Sequence, residues 1–515
     1  MKAFRRLILG GIAGLTAAVL AACSTPVTNK SNGTSSDNFS SSASLTADLA
    51  SYPATLDPGL QYDTDSYSVY RNIFDQLLHR DAKTNKIVPW LATSWKQTDS
   101  KTWVFTIRKG VKFSDGTPLT AADAAFSIQR ILDPRFASQQ NANFSAIASA
   151  TGSGDALTIK TKYPSPTLLT YLTTLSVVPM ADVKKVGDAQ FNLHPVGSGP
   201  YAFVSSIPGS QIVLKRNDSW WQGKPQIANV TFRAVPAAAS RVADLKSGNA
   251  QIADSMTPDT ATQMKGASNL KVLSAPTERV SYLAFNTIGG GPTNDPRVRK
   301  AISLAIDYKS LISSLEQGYA KQVNSVLTPL ALGYPKALPD YSTNTAQAKS
   351  LVQQAGATGK TIVMATSPTY DPQIVQAIQA EIQAVGLKVS INNTDQATYL
   401  KKVQSPTHNW GSIRFGQWSC SCLDADGVAY PLFRTGTVWS SYSNPRFDTL
   451  VDQARQTIDP TKRTGLYAQA YGILNKDLPG IGLFQMYSIY GASTRLEWTP
   501  DAQQSFFVAD MKLAS

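Results

Sequence analysis

From Ile374 to Ile391 the hydrophobic period switches once, and this switch restricts the fold more than any other feature of the chain. Ile374, Ile378, Ile382 and Val385 recur at helical spacing, Gly386 stops the helix, and Leu387, Val389 and Ile391 then alternate as in a strand. A helix that turns at a glycine into a strand is the building unit of an α/β layer. Three other segments agree. Trp103, Phe105 and Ile107 alternate as a strand, Asp115-Gly116 supplies a turn, and Thr120 with Asp123 has capping-box spacing before a helix carrying Ala124, Phe126 and Ile131 toward Asp133-Pro134. Asp295 can cap and Pro296 can open a second helix, with Val298, Ile302, Ala305 and Ile306 predicting one face until Gly318. Pro460 precedes a third, with Leu466, Tyr467, Ala470, Tyr471 and Leu474, closed between Asp477 and Gly480. The expectation is mixed α/β with several lobes and no internal repeat.

The first residues carry a different message. Met1 to Arg6 is basic, Leu7 to Ala22 is uncharged, and Leu20-Ala21-Ala22 brings small residues directly before Cys23. This resembles the bacterial lipoprotein signal, which implies a lipid on Cys23 and cleavage before it. The 7 to 22 stretch, broken by Gly10, Gly11 and Gly14, is short for an uncleaved membrane span. Residues 24 to 44 are Ser-, Thr- and Asn-rich and predict a flexible tether. No later segment approaches a spanning length, so a soluble body of roughly 470 residues follows, enough for two or three lobes. The formal net charge of +13 falls to +10 without Lys2, Arg5 and Arg6, but no basic run concentrates it. With charged residues at only 16% of the chain, a nucleic-acid groove is not expected.

Signals for catalysis are thin. His79, His194 and His408 lie far apart without metal-ligand spacing. Gly197-Ser198-Gly199-Pro200 lacks the rest of a phosphate loop and loses an amide at the proline, so it predicts a turn. No metal, cofactor or enzymatic activity is expected. Cys420-Ser421-Cys422 stands out: the pair can bridge if the backbone bends, the alternatives being free buried thiols and a redox or metal pair. Trp418 to Gly427 adds an aromatic platform and two carboxylates, Asp424 and Asp426, suited to holding donors on a ligand, or to shaping the turn before Gly427.

An ordered series of blocks carries a resemblance. It includes Leu56-Asp57-Pro58, Tyr70-Arg71-Asn72-Ile73-Phe74-Asp75, Val88-Pro89-Trp90-Leu91-Ala92, and Trp103 through Asp123 with Phe113-Ser114-Asp115-Gly116-Thr117-Pro118-Leu119. Val196-Gly197-Ser198-Gly199-Pro200-Tyr201, Trp220-Trp221-Gln222-Gly223-Lys224-Pro225, Asp295 through Asp307, and Tyr442-Ser443-Asn444-Pro445-Arg446-Phe447-Asp448 follow in order. Over residues 46 to 510 the chain resembles the extracytoplasmic solute-binding proteins of peptide, nickel and opine ABC importers, family 5.

The resemblance implies a two-lobed α/β periplasmic binding protein fold of the large class, with an added domain and a cleft between lobes joined by two hinge strands. On this chain lobe I is expected at 45–65, 191–278 and 486–515, the inserted domain at 66–190, and lobe II at 279–485. Crossovers near Ser281 to Asn286 and Phe484 to Tyr487 put Tyr282, Asn286 and Gln485 among the expected ligand contacts, with Trp418, Ser421, Asp424 and Asp426. In peptide binders the loop reads W-x-x-D-x-x-D-P and its first aspartate holds the peptide ammonium. Here Trp418 is matched, but that aspartate falls on Ser421, the second on Asp424 and the proline on Ala425. The implied function is capture of a peptide or peptide-like solute for an ABC permease driven by cytoplasmic ATPases, by a monomer in the cell envelope, periplasmic in a Gram-negative cell. An opine, amino-acid conjugate or metal chelate is the alternative ligand; an exported hydrolase using Asp424 and Asp426, and a structural or signalling lipoprotein, are the alternatives of another class.

Overall fold

The computed structural model describes residues 42–61 and 63–514; the leader, Cys23 and residues 24–41 lie outside the described residues. Among the described residues, eleven strands form one large mixed sheet. Its order is Lys388–Asn393, Thr361–Thr366, Ile413–Trp418, Leu270–Phe285, Gly480–Ser493, Ile252–Ala253, Ser44–Leu49, Asn229–Ala234, Gln211–Arg216 and Tyr201–Ile207, with Ala320–Gln322 also pairing on Gly480–Ser493. A separate antiparallel sheet of four strands runs Ala92–Asp99, Thr102–Ile107, Ala156–Thr161, Ile147–Ser153.

The two long strands tie the large sheet together. Leu270–Phe285 and Gly480–Ser493 pair antiparallel from Leu270 opposite Ser493 to Pro276 opposite Tyr487, and again from Val280 opposite Gln485 to Ala284 opposite Gly480. Between Pro276 and Val280 the register shifts, so Thr277, Glu278 and Arg279 leave the ladder midway between the two halves of the sheet. On one side of this break the pair meets Ile252–Ala253, on the other Ile413–Trp418. The chain is two-lobed, and these strands join the lobes.

The core divides in the same way. Leu45, Ala47, Tyr67, Tyr70, Phe232 and Tyr490 belong to one buried cluster, and Leu283, Ile302, Ile378, Phe415 and Ile481 to another. A third runs from Leu77 to Val177, joined by Trp220 and Phe507, and covers the four-stranded sheet. In it Trp103, Phe105 and Ile107 alternate inward, and the helix Ala121–Leu132, packed on Ile147–Ser153 and Ala156–Thr161, adds Ala124, Ile128 and Ile131 to the same core. The amide of Thr120 donates to the Asp123 carboxylate at 2.9 Å, which starts that helix. The helix Thr64–Ile73 packs through Tyr67, Val69, Tyr70 and Ile73 on the Ser44–Leu49 side.

The period switch at Gly386 becomes a helix, Pro372–Ala384, and a strand, Lys388–Asn393, parallel to Thr361–Thr366. Gly386 has φ +100°, a left-handed turn that a side chain would disfavour. The helical face expected to run from Asp295 to Gly318 is interrupted. Pro296–Ala305 ends at Ile306, and Asp307 caps a new turn by accepting from the Ser310 amide at 3.0 Å, followed by the π-helical turn Leu311–Leu315. The carboxylate of Asp307 satisfies amides that a continuous helix would bond to its own carbonyls. Pro460–Asp477 is one helix, closed by Leu478 in the left-handed region. Among the described residues no helix is long and apolar enough to cross a membrane.

Candidate ligand-binding site

The strand Ile413–Trp418 lies beside Leu270–Phe285 and delivers the chain into the loop before the helix Asp426–Phe433. Trp418 donates from Nε1 to the Gly427 carbonyl at 2.8 Å, closing the loop at its base. Cys420 and Cys422 are joined by a disulfide. The helix start presses against it so closely that a β-carbon on Gly427 would overlap the Cys420 sulfur. The loop also pairs with its neighbour, the Leu332 amide donating to the Leu423 carbonyl and the Ala425 amide to the Leu332 carbonyl, both at 2.9 Å.

Both carboxylates of the loop have basic partners. Asp424 is buried and bidentate on Arg463, with Nη2 donating to Oδ1 at 2.7 Å and Nη1 donating to Oδ2; Oδ1 also accepts from the Asp426 amide at 2.8 Å. Asp426 pairs with Arg455 Nε at 3.0 Å and accepts from the Tyr467 hydroxyl at 3.2 Å. Burial pushes the Asp426 carboxyl above its ordinary range, against the pull of Arg455. Ser421 is half-buried.

The other expected residues divide by the work their polar groups do. Asn286 donates from Nδ2 to the carbonyls of His408 at 2.6 Å and Gly411 at 3.0 Å, and accepts from the Gly289 amide at 2.8 Å. Gln485 donates to the Thr277 carbonyl and the Thr328 hydroxyl, both at 2.7 Å, beside the register break. Tyr282 and Trp418 instead line a cavity of about 270 Å³, together with Tyr370, Tyr399, Arg414 and Trp439. Trp418 and Trp439 meet edge to face with centroids 5.3 Å apart, and Tyr370 and Tyr399 do so at 5.8 Å. Pockets that enclose whole drug-sized molecules run from about 300 to 1,000 Å³, so this space suits one end of a ligand.

A second contact reaches the same loop from the four-stranded unit. The Tyr171 hydroxyl lies 3.9 Å from the Cys420 sulfur, and Tyr171 also lines a cavity of about 70 Å³ with Tyr163, Leu168, Asp426, Arg455 and Arg463. The loop is therefore a place where separate parts of the fold meet. Among the described residues no group of three or more His, Cys, Asp or Glu is arranged to hold a metal ion.

Arg414, Tyr370, Tyr399 and Trp439 were not expected from the sequence. One signal was present: Arg414 interrupts an otherwise apolar strand start, Ile413-Arg414-Phe415, on the parity that leads to Gly416 and Trp418. The tyrosines and Trp439 carried none, because they reach the cavity from distant elements.

This architecture recurs in known proteins. The chain is 28% identical over 480 residues to the glutathione-binding protein GsiB of Shigella flexneri, covering 89% of this chain and 92% of that one. The periplasmic binding protein DppA of Helicobacter pylori, solved with the peptide STSA, superposes with a TM-score of 0.76 at 25% identity, over 93% of this chain and 99% of that one. The binding protein AgaA of A. tumefaciens R10, solved with agropinic acid, gives 0.74 at 25% identity, over 92% and 99%. The family model of bacterial extracellular solute-binding proteins, family 5 Middle, matches residues 86–440, and by that match the chain belongs to the family 5 extracellular solute-binding proteins.

Proposed function

We propose that this protein captures a peptide or peptide-like solute between its lobes and presents it to an ABC permease powered by cytoplasmic ATPases. The observation that carries the reading is the pair of strands, Leu270–Phe285 and Gly480–Ser493, joining two lobes beside an aromatic cavity. Closure about the break at Thr277 to Arg279 is a hinge motion, and a solute biases it by touching both lobes. In this reading Tyr282 and Trp418 meet the solute, and Ser421 and Asp426 lie at its edge. Asp424, Asn286 and Gln485 hold the walls, since Arg463 and backbone carbonyls already occupy them.

The names of the relatives favour short peptides, including the modified tripeptide glutathione. An opine or amino-acid conjugate is the second reading, favoured by the likeness to AgaA and by Ser421 standing where peptide binders carry an aspartate. We further propose that a lipid on Cys23 anchors the body outside the cytoplasmic membrane, that the residues from 24 up to the strand beginning at Ser44 set its reach, and that it works as a monomer. Mass spectrometry of solutes released on denaturing the purified body tests the capture reading: a peptide or amino-acid conjugate in stoichiometric amount supports it, and reproducible absence of any small solute opposes it. Cys23→Ala tests the anchor, which requires the variant to leave the membrane fraction.

A further inference from the structure

The disulfide of the 418–427 loop adds little to the loop's own shape. Apart from it, Trp418 Nε1 closes the loop on the Gly427 carbonyl at 2.8 Å, Leu423 and Ala425 pair with Leu332, and Asp424 is bound to Arg463. A bridge across one intervening residue also closes so short a loop that it restricts the unfolded chain little. The two sulfurs are unequal in access. Cys422 is 1% exposed, and its Sγ lies 3.6 Å from the Asp424 carbonyl. Cys420 is half-buried, with the Tyr171 hydroxyl 3.9 Å from its sulfur. Ser419, directly before Cys420, is exposed and lines the aromatic cavity. The more open sulfur thus follows the cavity wall in the chain, while its partner is enclosed by protein.

A thiolate opens a disulfide by attacking the sulfur it can reach and expelling the other. We propose that Cys420 takes up the thiol of a cysteine-containing peptide or conjugate as a mixed disulfide. The solute thiol gives up its proton, and its sulfur bonds to Cys420 Sγ. The bond between Cys420 and Cys422 breaks with its electron pair on Cys422 Sγ, which takes a proton and can donate it to the Asp424 carbonyl. The solute sulfur is oxidised to the disulfide level and Cys422 is reduced to a thiol, so no further oxidant or reductant is needed. Return of Cys422 to Cys420 releases the solute unchanged, which makes the bond a reversible hold. The contacts of the loop with Leu332 and Arg463 keep its backbone in place while the bridge is open. The proposal rests on the capture reading above and deepens it by naming thiol-bearing solutes as the class this loop favours.

The test exposes ligand-stripped full-length protein, its bridge intact, briefly to reduced glutathione, quenches with acid and measures intact mass without reduction. The expected result is a gain of one whole glutathione per chain, since no atom is lost, with a peptide map placing it on Cys420. The adduct should saturate with glutathione concentration and fall when S-methylglutathione, which has the same shape without a free thiol, competes for the site. The variant Cys422→Ser supplies a second route: its Cys420 thiol should take one half of oxidised glutathione, whereas Cys420→Ser, with only the enclosed Cys422, should not. Absence of any adduct, or its appearance on Cys422, overturns the thiol site while leaving solute capture standing. An adduct that grows without saturation and ignores S-methylglutathione also overturns it, because the chemistry then owes nothing to a captured solute. A saturable adduct on Cys420 in a protein that retains no thiol-free peptide supports the thiol site and sinks the broader peptide reading.

Discussion

Asp424 shows how a residue's pattern and its work diverge. Its place after Trp418 and beside Asp426 suggests a ligand contact, but the partner that claims it, Arg463, is on the helix Pro460–Asp477 and far along the chain. Nothing local in the sequence links them. Removing one member of a buried ion pair leaves the other charged and alone, so Asp424→Ala is expected to lower unfolding stability by about 3–5 kcal/mol in urea titrations. A loss below about 1 kcal/mol would show that the pair is dispensable. Gly427 is legible only as a turn residue, whereas its proximity to the Cys420 sulfur is set by the fold. Gly427→Ala is expected to cost about 1–3 kcal/mol through crowding, measured the same way. Cys420-Ser421-Cys422 left three states open, and the structure draws a disulfide. Intact mass of the unreduced body should be lower than that of the reduced body by two hydrogens; equal masses would mean free thiols.

At the scale of elements, periodicity served well where one face packs on one neighbour. Trp103, Phe105 and Ile107 point into the core shared with the helix Ala121–Leu132, and the helix and strand around Gly386 stand where their apolar spacing put them. It failed at Ile306, where an apolar face continues but Asp307 takes the next amides for itself and starts a fresh turn. The hinge strands expose another limit. Their apolar runs read as strands, but the break between Pro276 and Val280 depends on pairing with Gly480–Ser493, which no local pattern announces. Glu278 sits in that break, and burial pushes its carboxyl from 4.5 up to about 7, with Arg80 opposing and Asp501 adding to the rise. The folded chain thus holds a proton that the unfolded chain releases, and Glu278 makes stability decline as pH rises from about 4.5 to about 7. Glu278→Gln should flatten that part of the profile and gain stability over the parent near neutral pH, as read from urea midpoints at about pH 5 and about pH 8. An unchanged difference between the two conditions would place the carboxyl in water.

For the whole molecule, the ordered blocks from Leu56 to Asp448 made the family legible, while the cavity stayed hidden. Tyr282, Tyr370, Tyr399, Arg414, Trp418 and Trp439 come together because the sheet order puts Ile413–Trp418 between Thr361–Thr366 and Leu270–Phe285. That order is a long-range result and leaves no local trace. The hinge joins two lobes through the long strands Leu270–Phe285 and Gly480–Ser493, which lets a bound solute shift the balance between open and closed forms. The most direct test is calorimetric titration of the delipidated, ligand-stripped body with short peptides, glutathione, opines and metal chelates, with solution scattering on the same samples. Capture between lobes predicts saturable binding of one peptide or amino-acid conjugate per chain with a smaller radius of gyration in the bound state. No saturable binding to any of these solutes, or binding that leaves the scattering curve unchanged, would contradict it.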